Sequence, residues 1–155
     1  MEKFLENLDE AQKIIMAMDH LVYVTFPLIK DKKMLIRIAM ETKKAIALCI
    51  NSILQNDYLY KRIKLYSNPQ ENFLTFREKC APRYEISKED INKITSLFEL
   101  VKKHKKSPLE FVRNEKVIIM SEDFYPEILT LEKTKEFVVL AKNLLLKIAK
   151  NLKKY

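Results

Sequence analysis

The 155 residues of this sequence include no glycine. Ordinary usage is roughly 7%, so about eleven would be expected. The absence excludes whole classes of chemistry. A phosphate-cradling loop and a dinucleotide fingerprint both need backbone that comes close to phosphate with no Cβ in the way. A G-x-S-x-G nucleophile elbow is excluded for want of its glycines. Helices must also end without the usual left-handed glycine, so Asn, Lys or a following Pro has to take that place. Histidine is nearly as scarce, with only His20 and His104. A zinc site needs closely spaced pairs such as C-x-x-C or H-x-x-x-H, and neither occurs. A set assembled from His20, Cys49, Cys80 and His104 is the one remaining arrangement, and the expectation is no metal and no cofactor. Apolar runs stay far short of the ~18 residues of a membrane span. Met1-Glu2-Lys3 leads into an amphipathic pattern and not a secretory signal. The expectation is a cytoplasmic protein with two reduced thiols, Cys49 and Cys80, and no membrane partner.

Apolar residues make up 48% and charged residues 32%, which suits a folded chain, and the length is that of one domain spanning 1–155 with a sizeable core. The net charge is +8 and the pI about 9.3. Such an excess points to a nucleic-acid or acidic partner. Lysine supplies 24 of the 29 basic residues and arginine five. Arginine is the more discriminating reader of phosphate and base edges, so the imbalance also fits plain composition bias.

Apolar spacing predicts helices over most of the chain. Phe4, Leu5, Leu8, Ala11, Ile15, Met18 and Val22 make one face of a first helix, which starts with acidic residues including Glu2 and extends to about Phe26, where Pro27 kinks or ends it. A long second helix covers 34–59, with Leu35, Ile38, Ala39, Ile46, Cys49 and Ile53 in its stripe. The 58–66 stretch, YLYKRIKLY, mixes aromatic and basic residues in a way that suits base stacking and phosphate contact. The preferred reading is the tail of a helix face, through Tyr58, Leu59, Ile63 and Tyr66. A short helix over 71–79 turns Phe73, Leu74 and Phe76 inward. Ser87 with Asp90 resembles a capping box opening a helix over 88–103, whose end gathers Lys102, Lys103, His104, Lys105 and Lys106. From 107 to 130 the pattern changes to short β-favouring runs. Strands around 111–113 and 117–120 pair across Asn114-Glu115, and 127–129 adds a third. Thr130 caps a last helix over 131–152, with Lys142, Lys147, Lys150, Lys153 and Lys154 outward. The predicted fold is mainly α: a bundle of four longer helices and one short helix, with a small antiparallel β element (about 111–129) before the last helix.

Two groups of polar residues are candidates for function. Asp19, His20 and Tyr23, together with Arg77, Arg83, Glu110 and Arg113, form a candidate polar cleft where the β element meets the bundle. The bland alternative is that these residues pin loops through ion pairs. Lys102, Lys103, Lys105, Lys106, Lys142, Lys147 and Lys150 form a candidate basic surface. A Cys80–His20 nucleophilic pair is also conceivable, since Lys79 and Arg83 flank Cys80 and lower a thiol's pKa; the plainer reading is a structural thiol.

FREKCAPRY (76–84) and SPLEFVRNEKVIIMSEDF (107–124), with the Asp19-His20-Leu21 run through Pro27, resemble a family of small, mainly archaeal, mostly helical proteins of unknown function. That resemblance implies a fold unit and no activity. A more distant likeness is to the HEPN-type helical bundles, some of which are ribonucleases. Their catalytic signature places His four to six residues after Arg, and neither His20 nor His104 has an Arg at that spacing. The first functional expectation is therefore a non-catalytic module binding RNA or a protein through its basic surface. The second is a divergent enzyme using the cleft of His20, Arg77, Arg83 and Arg113. A helical homodimer is the third.

Overall fold

A computed structural model describes residues 3–152. Glu2, Lys153 and Lys154, assigned above to the two terminal helices, lie outside the described residues. The chain is mainly helical, with four long helices, a short one, and a three-stranded antiparallel sheet before the last helix.

Helix α1 (Lys3–His20) runs through a widened π turn, Leu21–Thr25, into α2 (Phe26–Ile29). The sequence predicts an end near Phe26, yet helix continues past Pro27. The reason lies in the π turn. Phe26 N–H bonds to Leu21 O, five residues back, and this wider turn relieves the clash a proline ring makes with the carbonyl four residues before it. Lys30 then ends the helix in the left-handed region at φ 56°, donating to Phe26 O over 2.7 Å.

Helix α3 (Lys33–Leu59) is the central element and packs against α1, α6 and α5. Leu35, Ile38, Ala39, Ile46, Cys49 and Ile53 are fully buried along it. Its 27 residues span about 40 Å. Helix α4 (Pro69–Thr75) starts on Asn68, whose side chain accepts from Gln70 N–H. It passes through a second π turn (Phe76–Cys80) into a 3₁₀ turn (Ala81–Tyr84), which stops at left-handed Glu85. Leu5 and Leu74, predicted inward, are exposed.

Helix α5 (Lys88–Lys106) opens on the Ser87 cap, where Asp90 N–H donates to Ser87 Oγ over 3.1 Å. It outlasts the expected end at 103, so Lys103, His104, Lys105 and Lys106 sit in its last turn, where unpaired carbonyls favour cations. Strands β1 (Leu109–Arg113), β2 (Lys116–Met120) and β3 (Pro126–Leu129) pair in sequence order. Asn114 and Glu115 are both left-handed, at φ 50° and 64°. That is the two-residue turn whose twist matches a hairpin. Val117, Ile119 and Leu129 are buried, and β2 lies against α5 and α3, which supplies the support a small sheet needs. Helix α6 (Leu131–Leu152) is capped by Thr130 Oγ1, which accepts from Lys133 N–H over 3.1 Å. Phe137, Leu140, Ala141, Leu144 and Ile148 join the core.

Lys32, just before α3, lies 4.0 Å from Glu115 at the tip of the hairpin. The sheet therefore marks one end of the bundle. The C-terminal end of α3 marks the other.

Candidate functional site

At that second end, α3 closes on two consecutive buried polar residues, Asn56 and Asp57. A carboxylate in the last turn of a helix faces the negative end of the helix dipole, so it needs cations brought from elsewhere. Arg62 supplies Nη1 at 3.3 Å from Asp57 Oδ1. Arg83 places Nη2 3.2 Å from Oδ2, although Oδ2 has no aligned hydrogen-bond donor; the contact is electrostatic. Tyr84 Oη donates to Oδ1 over 3.3 Å and accepts from Asn56 Nδ2 over 3.0 Å. This cluster ties two separated segments of chain, the turn at Arg62 and the 3₁₀ turn at Arg83 and Tyr84, to the end of α3.

Cys80 lies beside it and is fully buried. Burial pushes its thiol pKa far up, and the neighbouring Asp57 carboxylate acts in the same direction. Arg83 and Lys79 pull it down, as their positions in sequence suggest, but they are outweighed. Cys49, on α3, is pushed up to about 12 by burial. Neither thiol is poised as a nucleophile. Among the described residues, no group of three or more His, Cys, Asp or Glu side chains is placed to hold a metal ion.

Of the seven residues of the predicted cleft, five find separate partners, and His20 and Arg113 stand exposed. Asp19 accepts from Lys142 of α6 over 2.9 Å. Tyr23 lies under Lys135 Nζ, 5.4 Å from the ring centre, and His20 is exposed beside it in sequence. Arg77 is 3.9 Å from its neighbour Glu78. Arg83 belongs to the Asp57 cluster. Glu110 meets His104 Nδ1, and Arg113 is exposed at the end of β1. No side-chain hydrogen bond or ion pair among the described residues joins any of the seven to another.

The predicted basic surface is partly neutralised. Lys103 pairs with Glu127 at 3.2 Å, Lys147 with Asp90 at 2.8 Å, and Lys150 with Glu85 at 3.2 Å. With Lys142 on Asp19, four of the seven lysines hold carboxylates. Lys102, Lys105 and Lys106 are exposed and enter no ion pair among the described residues. Lys102 and Lys106 nevertheless share a hollow of about 180 Å³ with Glu99, Glu122 and Asp123.

Sequence periodicity missed two features. An open groove of about 640 Å³ runs between α3, α4 and α5, with Ile50, Leu54, Phe73 and Phe98 on its walls and Lys43 and Glu99 at its polar margin. Its residues come from three elements, so no local pattern announces it. The second feature is the 58–66 stretch. Helix α3 stops at Leu59, and of the four residues read as a continuing face only Ile63 is buried; Tyr58, Leu59 and Tyr66 are exposed.

No helix among the described residues is long and apolar enough to cross a membrane. Comparison with known protein families, curated proteins and solved structures finds no match to this chain.

Proposed function

We propose that this chain is a non-catalytic RNA-binding module of the cytoplasm. The balance of charge carries the reading. The ion pairs described above use cations and carboxylates together, and a net +8 is left. Lys61, Lys64, Lys102, Lys105 and Lys106 are exposed and outside any ion pair among the described residues. Backbone phosphates are the ligand that such unneutralised lysines attract. The divergent-enzyme reading, with its HEPN-like ancestry, draws less support. Arg83 and Arg77 are engaged by Asp57 and Glu78, and the cysteines are buried thiols.

The test is fluorescence anisotropy of the purified protein with labelled single-stranded RNA and duplex DNA, at low and at physiological salt. Binding that persists at physiological salt and prefers RNA is the expected result. Weak binding to both that vanishes with salt would reduce the charge to composition. Charge reversal is made separately at Lys61 and Lys64 and at Lys102, Lys105 and Lys106, the two exposed groups of lysines outside ion pairs among the described residues. Lys103 is left alone, because it is already paired with Glu127, which Lys133 holds from its other oxygen.

A protein partner is the second reading, and the apolar groove between α3, α4 and α5 favours it. Its length along α3, from Lys43 to Leu54, is about three helical turns, enough for an amphipathic helix to lie in. Phe98→Glu would abolish capture of such a partner and leave RNA binding intact. A homodimer through an exposed apolar face would appear as a concentration-dependent mass in sedimentation.

A further inference from the structure

We infer that the 58–66 stretch, from the last residues of α3 into the loop after it, is a stacking platform for single-stranded RNA, at the end of the bundle away from the sheet. The inference rests on the RNA-binding reading and says where the bases sit. Tyrosine is ordinarily a residue of intermediate burial. Here Tyr58, Tyr60 and Tyr66 are 53%, 53% and 46% exposed, and Leu59 and Leu65 lie open with them.

This exposure is not looseness, for the loop is pinned along its length. Arg62 N–H donates to Asp57 O over 2.9 Å, and the Arg62 side chain holds the buried Asp57 carboxylate. Ile63 is 7% exposed and belongs to the core. Asn72 grips Tyr66 at both backbone groups, accepting from its N–H and donating to its carbonyl over 2.8 Å each. The Arg62 guanidinium stacks 5.0 Å from the Tyr60 ring centre, which braces that ring. Ordered aromatic faces bind with little further loss of side-chain freedom.

Charge selects the ligand. Residues 58–66 carry Lys61, Arg62 and Lys64 and no carboxylate. The carboxylate just before them, Asp57, is fully buried and held by two arginines. A hollow of about 290 Å³ beside the loop, lined by Lys3, Phe4, Gln55, Tyr58 and Leu59, adds a further cation and apolar walls. The sheet end differs, because Glu99, Glu122 and Asp123 line the same hollow as its lysines. Exposed rings for base faces and unpaired lysines for phosphates are what single-stranded nucleic acid needs, and such stacking tolerates any sequence.

The test uses short labelled oligoribonucleotides, their DNA equivalents and a duplex, with wild type, the triple variant Tyr58→Ala/Tyr60→Ala/Tyr66→Ala, and the matching triple Phe variant. The Ala variant should bind single-stranded RNA roughly ten- to a hundredfold more weakly, while the Phe variant keeps most of the affinity. Lys61→Gln/Lys64→Gln should flatten the salt dependence. The chain has no tryptophan, so Tyr66→Trp gives a single indole, excited to the red of the tyrosines, whose fluorescence should be quenched on stacking. Circular dichroism and urea unfolding check that each variant is folded. If wild type binds and the folded Ala variant binds equally well, the platform is wrong and the RNA-binding reading stands. If wild type binds no RNA at physiological salt, both fall. If the Ala variant instead converts a wild-type dimer to monomer with RNA affinity unchanged, the rings are a self-interface and the inference is overturned.

Discussion

Tyr84 Oη donates to Asp57 Oδ1 over 3.3 Å, and both residues are fully buried. The contact joins the end of a 3₁₀ turn to the last turn of α3, 27 residues apart in sequence. It makes Asp57 the tie-point of its end of the bundle. Tyr84→Phe removes the acceptor of Asn56 Nδ2 and a donor to Asp57. It should cost about 1–3 kcal/mol of unfolding free energy, since a buried polar group is left unsatisfied. Asp57→Asn removes the charge shared by Arg62 and Arg83. The expected loss is about 2–3 kcal/mol, below the usual figure for breaking a buried pair because both arginines are about a quarter exposed and regain water. Urea midpoints at constant m-value measure both.

Six described residues adopt positive φ without being glycine: Lys30, Lys61, Glu85, Asn114, Glu115 and Phe124. A Cβ in that region costs about 1–2 kcal/mol. Part of this is returned in the unfolded chain, where glycine is freer. Lys30→Gly and Glu85→Gly, both at helix ends, should each therefore stabilise the fold by about 0.5–1 kcal/mol. Lys30→Val, with a branched Cβ, should destabilise it. Thermal unfolding of the three variants decides.

Asp90 carries a pH dependence. Burial alone would raise its pKa, but the hydrogen bond and charge of Lys147 and the bonds to Ser87 outweigh it and hold the carboxyl below its ordinary value. A folded pKa below the unfolded one adds stability above the unfolded pKa, and that stability is lost as pH falls through the folded value. Asp90→Asn should thus be less stable than wild type at neutral pH. The gap should close as pH drops below about 4. A gap unchanged down to pH 2 would contradict the assignment.

The two thiols make a kinetic prediction. Both are free and buried, with pKa values raised by burial, so little thiolate is available to react. Folded protein should react with a thiol-specific disulfide reagent only at the rate of opening. Two equivalents should appear at once in denaturant. Fast labelling of one thiol in native buffer would show that one of the two is accessible after all.

The sequence alone determined what depends on neighbours within a few residues. Three-four apolar spacing set the four long helices. Asn114-Glu115 set the hairpin turn, and Ser87 and Thr130 set helix starts through their own hydroxyls. The missing glycines forecast that residues such as Lys30 would serve as helix ends. Tertiary structure decided what depends on partners far along the chain. Asp57 carries no signal of its own in the sequence; folding brings Arg62, Arg83 and Tyr84 around it. Lys142, Lys147 and Lys150 read as a basic stripe, but Asp19, Asp90 and Glu85 reach them only across the packed bundle. The 58–66 stretch has the spacing of a buried helix face. Its rings are exposed because α3 stops at Leu59, where Arg62 turns back to the Asp57 carboxylate. Periodicity reports which residues share a face, and only packing says whether anything covers it.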